Sequence, residues 1–377
     1  MMATTSAPLI TSLGLASNLG TDVTVAAAAQ RAGLNRRAEL LDYLVFDVGP
    51  DMEAPVVGAP IIGLTDGFMC PGRWLRMGYA AFGELIDYGG LPDASDAAFW
   101  QRTGLVWALP EITLKRYMWP EAEALTILDQ ICARPFLALL GLPIRPENIE
   151  TVPAGSTATA VIVQGLANRL AQSQLDRVVV LAADSWLDPM SMRMLVDSSR
   201  IKSAESPVGL CPGEAAAAIM FETATAARNR AARVEARLAA AAVEGGQWPS
   251  GDDSMAARSA ASTEIGKSLA RAIRRTLADA NIQLPFKGDV FVDLNGEDWR
   301  TRVWGTAQTM LLDALDPARA RLIVPGIEMG DVGAASSAVS ACLAMRTFAR
   351  RYAHGESALV CSLSETGSTG AILFSKE

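Results

Sequence analysis

Three turns in this 377-residue chain carry side chains that could do chemistry. The first, Ala154–Ser156, sits between a β-branched run ending at Pro153 and an apolar stretch that begins at Ala158. A hydroxyl there stands at the positive end of a helix, where a nucleophile or an anion is often held. The second turn, Asn295–Asp298, brings Asn295 and Glu297; the third, Gly330–Val332, brings Asp331. A serine nucleophile needs an adjacent base, because its hydroxyl ionises only far above neutral pH. Imidazole is almost missing: His354 is the single histidine, in the polar stretch Tyr352–Ser357. That removes any two-histidine mechanism and most zinc sites. Each turn also has a plainer expectation. Ser156 or Thr157 would cap a helix, worth about 1 kcal/mol. Asn295 would form a left-handed turn, and Asp331 would cap the helix after Gly330.

The five cysteines, Cys70, Cys132, Cys211, Cys342 and Cys361, are scattered and form no CxxC pair. Apolar surroundings for four of them point to reduced, buried thiols and a cytoplasmic protein. Cys211 precedes a strand, not a helix, which favours burial over a nucleophilic role. A net charge of −8 argues against nucleic acid or an anionic membrane as main partner. The run Arg228, Arg230, Arg233, Arg237 reads as a solvated face. No apolar stretch reaches the ~18 uncharged residues needed to span a bilayer. The opening MMATTSAPLITSLGLASNLG lacks the basic start of a signal peptide. No cofactor or metal is expected.

Elements that would position the turns follow from periodicity. Half of the residues are hydrophobic, enough for a large core. In the first part, strands are predicted over Pro8–Ala16, Gly104–Leu109, Ile149–Pro153, Arg177–Ala183 and Ala215–Glu222. Helices are predicted over Val23–Arg31, capped by Thr21 or Asp22, over Glu121–Leu140 with a kink at Pro135, and from Ala158. Residues 34–100 form an elaborated connection with helix around Trp74–Ile86, and Ala224–Arg230 reads as a linker. From Arg233 the pattern restarts. Strands Val234–Val243, Asp289–Leu294, Leu322–Pro325, Ser357–Ser362 and Gly370–Phe374 alternate with helices Ser262–Ala280, Thr301–Leu315 and Ala334–Arg350. The chain thus divides at 225/226 into two βαβαβαββ halves of α/β class. The three turns all stand at carboxyl ends of strands, where open α/β sheets build sites.

Six motifs in order, PLITSLGLASNLG, ALLGLPIRPENIETVPAGSTATA, the strand Asp176–Ala183, PGEAAAAIMFE, MGDVGAASSAVSACLA and ETGSTGAILF, resemble those of a β-ketoacyl-[acyl carrier protein] synthase of the thiolase superfamily. PLITSLGLASNLG is similar to the opening strand and turn. ALLGLPIRPENIETVPAGSTATA resembles the approach to the active-site cysteine, and the strand after Asp176 is similar to the one that follows the nucleophile helix. PGEAAAAIMFE resembles a Gly-Glu-Gly-Ala strand, with Ala215 where Gly is usual. MGDVGAASSAVSACLA and ETGSTGAILF resemble the second histidine turn and the closing hairpin. The resemblance implies a duplicated thiolase fold, a layered α-β-α-β-α sandwich. It also implies a cysteine, two histidines, a lysine and an aromatic gate. Ser156, Asn295, Asp331, Gly326 and Glu365 stand at those positions, so every chemically active side chain is replaced. A carboxylate at Asp331, joined by Glu297 and Glu365, would repel the anionic malonyl unit that the histidines handle.

The resemblance therefore implies a ketosynthase-like protein kept for shape and surface, with an accessory, adaptor or scaffold role. In the family the strand at Ile149–Pro153 pairs across a two-fold axis, which implies a homodimer. The turn Asp293–Glu297 is similar to that of ketosynthase-like proteins encoded beside type VI secretion effectors, which implies an effector or spike component as partner. Two alternatives stay open. One is a chain-length-factor-like subunit that pairs with an active ketosynthase and meets an acyl carrier protein. The other is an acyltransferase or hydrolase using Ser156 with Asp331 or Asn295.

Overall fold

A computed structural model describes residues 7–46, 53–172, 175–246, 248 and 254–377. Strand β1 (Leu9–Ser17) leads into helix α1 (Val23–Arg31). The cap is Asp22, whose carboxylate accepts the amides of Thr24 (2.7 Å) and Val25 (2.8 Å). The connection over 34–100 holds a hairpin, β2 (Ala38–Phe46) and β3 (Glu53–Gly58), then α2 (Gly72–Gly89) and α3 (Ala97–Gln101). Its residues 47–52, and residues 1–6 of the opening segment, lie outside the described residues.

Strand β4 (Thr103–Leu109) is followed by α4 (Leu114–Tyr117), α5 (Ala124–Leu128) and α6 (Arg134–Leu140). The single helix expected over Glu121–Leu140 is thus broken: a wider π-type turn over Asp129–Ala133 separates α5 from α6. Pro135 has no amide to return to that turn. Next come β5 (Ile149–Pro153), α7 (Ala158–Gln164), α8 (Leu166–Gln172), β6 (Arg177–Ser185), α9 (Pro189–Asp197) and β7 (Glu214–Glu222). The expected linker is instead a short helix, α10 (Ala224–Asn229), because the Thr223 hydroxyl caps it by accepting the Ala226 amide at 3.2 Å. Nor is the arginine run there simply solvated: Arg230 pairs with the buried Glu222 at 2.5 Å and Arg233 with Glu235 at 3.0 Å.

The remaining elements are β8 (Ala236–Glu244), α11 (Met255–Asp279), β9 (Asp289–Val292), α12 (Asp298–Met310), β10 (Arg321–Ile323), α13 (Gly326–Met329), α14 (Ser336–Ala349), β11 (Ser357–Leu363) and β12 (Thr369–Ser375).

The strands run in the order β10-β9-β11-β12-β8-β1-β7-β6-β4-β5. Two five-stranded arrays meet where Leu9 pairs with Arg237 and Ile10 with Ala236. Each array has three parallel strands at its outer end and two antiparallel strands toward the junction. Between the arrays lie α7 and α14. Helix α7 touches β4, β5 and β6 on one side and β8 and β12 on the other; α14 touches β1 and β7, and β9 and β11. Every residue of α14 except Ala349 is buried. Its Val339, Leu343, Met345 and Phe348 each contribute about 1.5–3 kcal/mol relative to exposure. Helix α2 covers the first array, and α11, with α12 against it, covers the second. Close approach of α2 to β1 requires Gly14, where a Cβ would stand 1.9 Å from the Ala81 carbonyl oxygen. The result is the layered α-β-α-β-α sandwich of a duplicated α/β fold. Among the described residues no helix is long and apolar enough to cross a membrane.

Candidate functional site

Ser156 lies in a tight 3-10 turn, Gly155–Thr157, that opens α7. Gly155 has φ +56°, and the Glu111 carboxyl carbon sits 2.9 Å from where its Cβ would be. Neither Ser156 nor Thr157 caps the helix, contrary to expectation. The tight turn directs the Thr157 hydroxyl back to the Ala154 carbonyl at 2.9 Å, and the Ser156 hydroxyl across to the Gly333 carbonyl at 3.2 Å. The Ser337 hydroxyl in turn donates to the Ser156 carbonyl at 2.7 Å, so the starts of α7 and α14 are stitched together.

Asn295 is not the left-handed residue of its turn; that is Gly296, with φ +105°. The Asn295 side chain is instead fully engaged. Its amide nitrogen donates to Asp331 at 2.7 Å and to Glu297 at 2.9 Å, while its oxygen accepts the Glu297 amide at 3.0 Å. The other oxygen of Asp331 accepts the Gly333 amide at 2.8 Å, in the turn that precedes α14. Gly326 stands behind this cluster, where a Cβ would meet the Leu294 carbonyl oxygen at 2.5 Å. It lines a small separate cavity with Asp293, Asn295 and Asp331.

Beside Ser156 opens a cleft of about 1110 Å³. Ser156 and Glu365 line it, together with Glu111, Asp184, Arg200 and Arg258, and with apolar Trp186, Met194, Val208, Trp248 and Met255. Asn295, Asp331 and Gly326 do not line this cleft. Glu365, on the turn between β11 and β12, receives four arginine hydrogen bonds: two from Arg200 (2.7 and 3.0 Å), one from Arg258 (2.8 Å) and one from Arg300 (3.0 Å). Arg200 also forks onto Glu297 at 2.6 and 2.9 Å, and Arg300 reaches Asp293 at 3.0 Å. One ion network therefore joins the cleft wall to the Asn295–Asp331 cluster behind it. Burial alone would raise the Glu365 carboxyl, yet Arg200, Arg258 and Arg300 hold it well below the usual range. Asp293 goes the other way. Burial pushes its carboxyl up to about 6, with Asp331 adding to the rise while Arg300, the Leu363 amide and the Ser156 hydroxyl oppose it. A second buried pair, Arg116 with Asp184 at 2.6 Å, holds the start of α14 through the Ala334 amide, which donates to Asp184 at 2.9 Å.

Such a site can bind and orient a molecule through apolar walls and arginines, but it has no imidazole to move a proton. His354 lies elsewhere, its amide near Asp289 at the start of β9, toward the far end of α14. Four of the five cysteines are buried, and the Cys211 thiol lies 3.4 Å from the Val57 carbonyl and 4.0 Å from that of Pro212. Sequence reasoning missed Asp293 as the neighbour of Ser156, and missed Arg116, Arg200, Arg258 and Arg300. The one local signal was the i, i+3 spacing of Glu297, at the N-cap of α12, and Arg300 within it, which lie 3.9 Å apart.

No protein-family model matches the chain, and no curated protein matches it. Solved structures do. A type II polyketide ketosynthase bound to its acyl-carrier protein and a hexaketide is similar over 98% of this chain and 99% of that one, with a TM-score of 0.72 and 13% identity. The ishigamide ketosynthase/chain length factor is similar over the same shares, with a TM-score of 0.71 and 15% identity. A β-ketoacyl synthase from Burkholderia phymatum STM815 matches over 98% of this chain and 99% of that one, with a TM-score of 0.68 and 14% identity. At such identities the likeness concerns architecture, and over essentially its whole described length the chain has the thiolase-like ketosynthase fold.

Proposed function

We propose that this protein is a non-condensing member of the ketosynthase fold that works by association with other proteins. One observation carries the reading: the Ser156 hydroxyl is turned to the Gly333 carbonyl, its titratable neighbour Asp293 is a buried carboxylate, and the Asn295–Asp331 cluster behind is closed on itself. Decarboxylative condensation needs a ready nucleophile and donors aimed at a developing enolate oxygen. Both N–H groups of Asn295 are taken by carboxylates, and Asp331 presents negative charge where a donor is required. The Ser156 hydroxyl is spent on the Gly333 carbonyl at 3.2 Å, and the single imidazole of the chain, His354, lies elsewhere. Ser156, Asn295, Asp331, Gly326 and Glu365 are on this reading structural positions.

The accessory role we favour is that of an adaptor for a secreted effector or spike component of the type VI class, resting on the Asp293–Glu297 turn. A specific observation favours the second reading, a chain-length-factor-like subunit: one similar structure is a ketosynthase/chain length factor, and another holds its acyl-carrier protein. Strand β5 is an open edge of the sheet, available for a homodimer or a heterodimer. The test has two parts. Incubated with malonyl and acyl thioesters, the purified protein should release no carbon dioxide and gain no acyl mass; an adduct that Ser156→Ala abolishes would overturn the reading in favour of an acyltransferase. Affinity capture from the host should then recover an effector or spike protein for the adaptor. An acyl carrier protein or a complete ketosynthase would establish the second reading.

A further inference from the structure

The sheet ends at β10, which has a neighbour only on the β9 side; its start lies against Tyr352 past the end of α14, and its exit leads to Gly326 behind the Asn295–Asp331 cluster. The Arg321 amide donates to Gly288 across that pair at 2.9 Å, so the amide and carbonyl of Leu322 face the open edge. Leu322 is 45% exposed and Ile327, just past the strand, 62%. Arginines gather where the strand begins. The Tyr352 ring lies under Arg31 at 4.0 Å and within 6.0 Å of Arg321, which ties the ends of α1 and α14 to the start of β10. Arg350 and Arg351, also exposed, adjoin Tyr352 in the chain. Of the carboxylates in this region, Asp289 pairs with Arg321 (2.7 Å), Asp316 with Arg319 (3.2 Å) and Glu356 with Lys376 (3.4 Å), while one oxygen of Glu328, beside Ile327, has no hydrogen-bond partner among the described residues. Among the described residues none forms an ion pair with Arg31, Arg350 or Arg351. Helix α14 is 14 residues long, so the arginines past its end lie about 20 Å from the Ser156 end.

We propose that this surface docks an extended acidic segment of a protein partner, which adds along the free edge of β10 and sets its carboxylates against Arg31, Arg350 and Arg351. Two features select that occupant. An exposed edge strand offers main-chain hydrogen bonds to another strand, and guanidinium groups match carboxylates in a fork. Side chains alternate along a strand, so acidic residues of the segment would meet the arginine face and apolar ones the Leu322 face. The chain as a whole carries −8, which opposes the broad contact that a nucleic acid or an anionic membrane needs. The inference rests on the reading of the protein as a partner-binding subunit and gives that partner a chemistry.

The probe is a fluorescent peptide of alternating Glu and Val, followed by anisotropy at low salt. Saturable binding is expected, lost about tenfold or more in the triple variant Arg31→Glu, Arg350→Glu, Arg351→Glu and weakened by added salt. Leu322→Pro, which deletes the outward amide without changing charge, should weaken it too. All four residues are at the surface, so circular dichroism and Tm should match the native chain. Absence of saturable binding, equal binding by the triple variant, or equal competition by duplex DNA or phosphatidylserine vesicles would overturn the proposal. Should Leu322→Pro bind as well as the native chain, strand addition is wrong. A partner captured from the host while the peptide fails would remove this surface and leave the proposed function standing.

Discussion

Asp293 and Glu365 share Arg300 yet titrate in opposite senses, and this gives the site a pH signature. The folded carboxyl of Asp293 lies above its ordinary value, at about 6, so its ionisation opposes folding; stability is lost as pH rises from about 4 through 6. Glu365 lies below its ordinary value, so it contributes stability above about pH 4.3 that is lost on further acidification. Asp293→Asn removes the first effect. Urea denaturation should find the variant gaining on the native chain as pH is raised from 4.5 to 7; an offset that does not change with pH would contradict the account. The sequence revealed which turns would meet, since Ser156, Asn295, Asp331 and Glu365 all belong to the cluster or the cleft wall it supports. It did not reveal what satisfies them. Arg200 reaches Glu297 across 97 residues and Glu365 across 165, and no local pattern distinguishes a buried arginine from a solvated one.

At the scale of elements, the join between α7 and α14 depends on backbone that tolerates no side chain. Gly333 has φ +51°, and a Cβ there would stand 1.9 Å from the Asp184 carboxylate that holds Arg116 and the Ala334 amide. Gly333→Ala should cost about 2–4 kcal/mol, through strain and the displaced ion pair. Gly33→Ala, at φ +65° with open space around it, should cost only about 1 kcal/mol. Comparable losses in the two variants, by thermal or urea unfolding, would sink the argument. Strands and the long helices were legible because burial on both faces gives unbroken apolar runs such as Arg177–Ala183. The break at Asp129–Ala133 was not, since a π-type turn keeps the apolar spacing on either side. The hairpin of β2 and β3 was hidden for a different reason. It buries one face against a satellite core with Trp186, Leu187 and Met192, so only half its residues carry a signal.

For the whole molecule, the division we propose at 225/226 is one of topology, with no independent folding on either side. Each central helix is covered by the other half's sheet, α7 by β8 and β12, and α14 by β1 and β7. Residues 1–225 or 226–377 expressed alone should be insoluble or lack cooperative unfolding, and co-expression should restore a soluble complex; a fragment with a sharp transition of its own would refute this. The shared order of the two arrays has one more consequence. It leaves the particle with two equivalent raw ends, β5 and β10. Two copies joined through β5 about a two-fold axis form a closed pair, but copies joined through both ends would grow into a fibre without a natural stop. The exposed Arg31, Arg350 and Arg351 would set like charges against each other if two β10 ends met. On the proposed reading, the charge that invites a foreign acidic strand would also oppose end-to-end growth through β10.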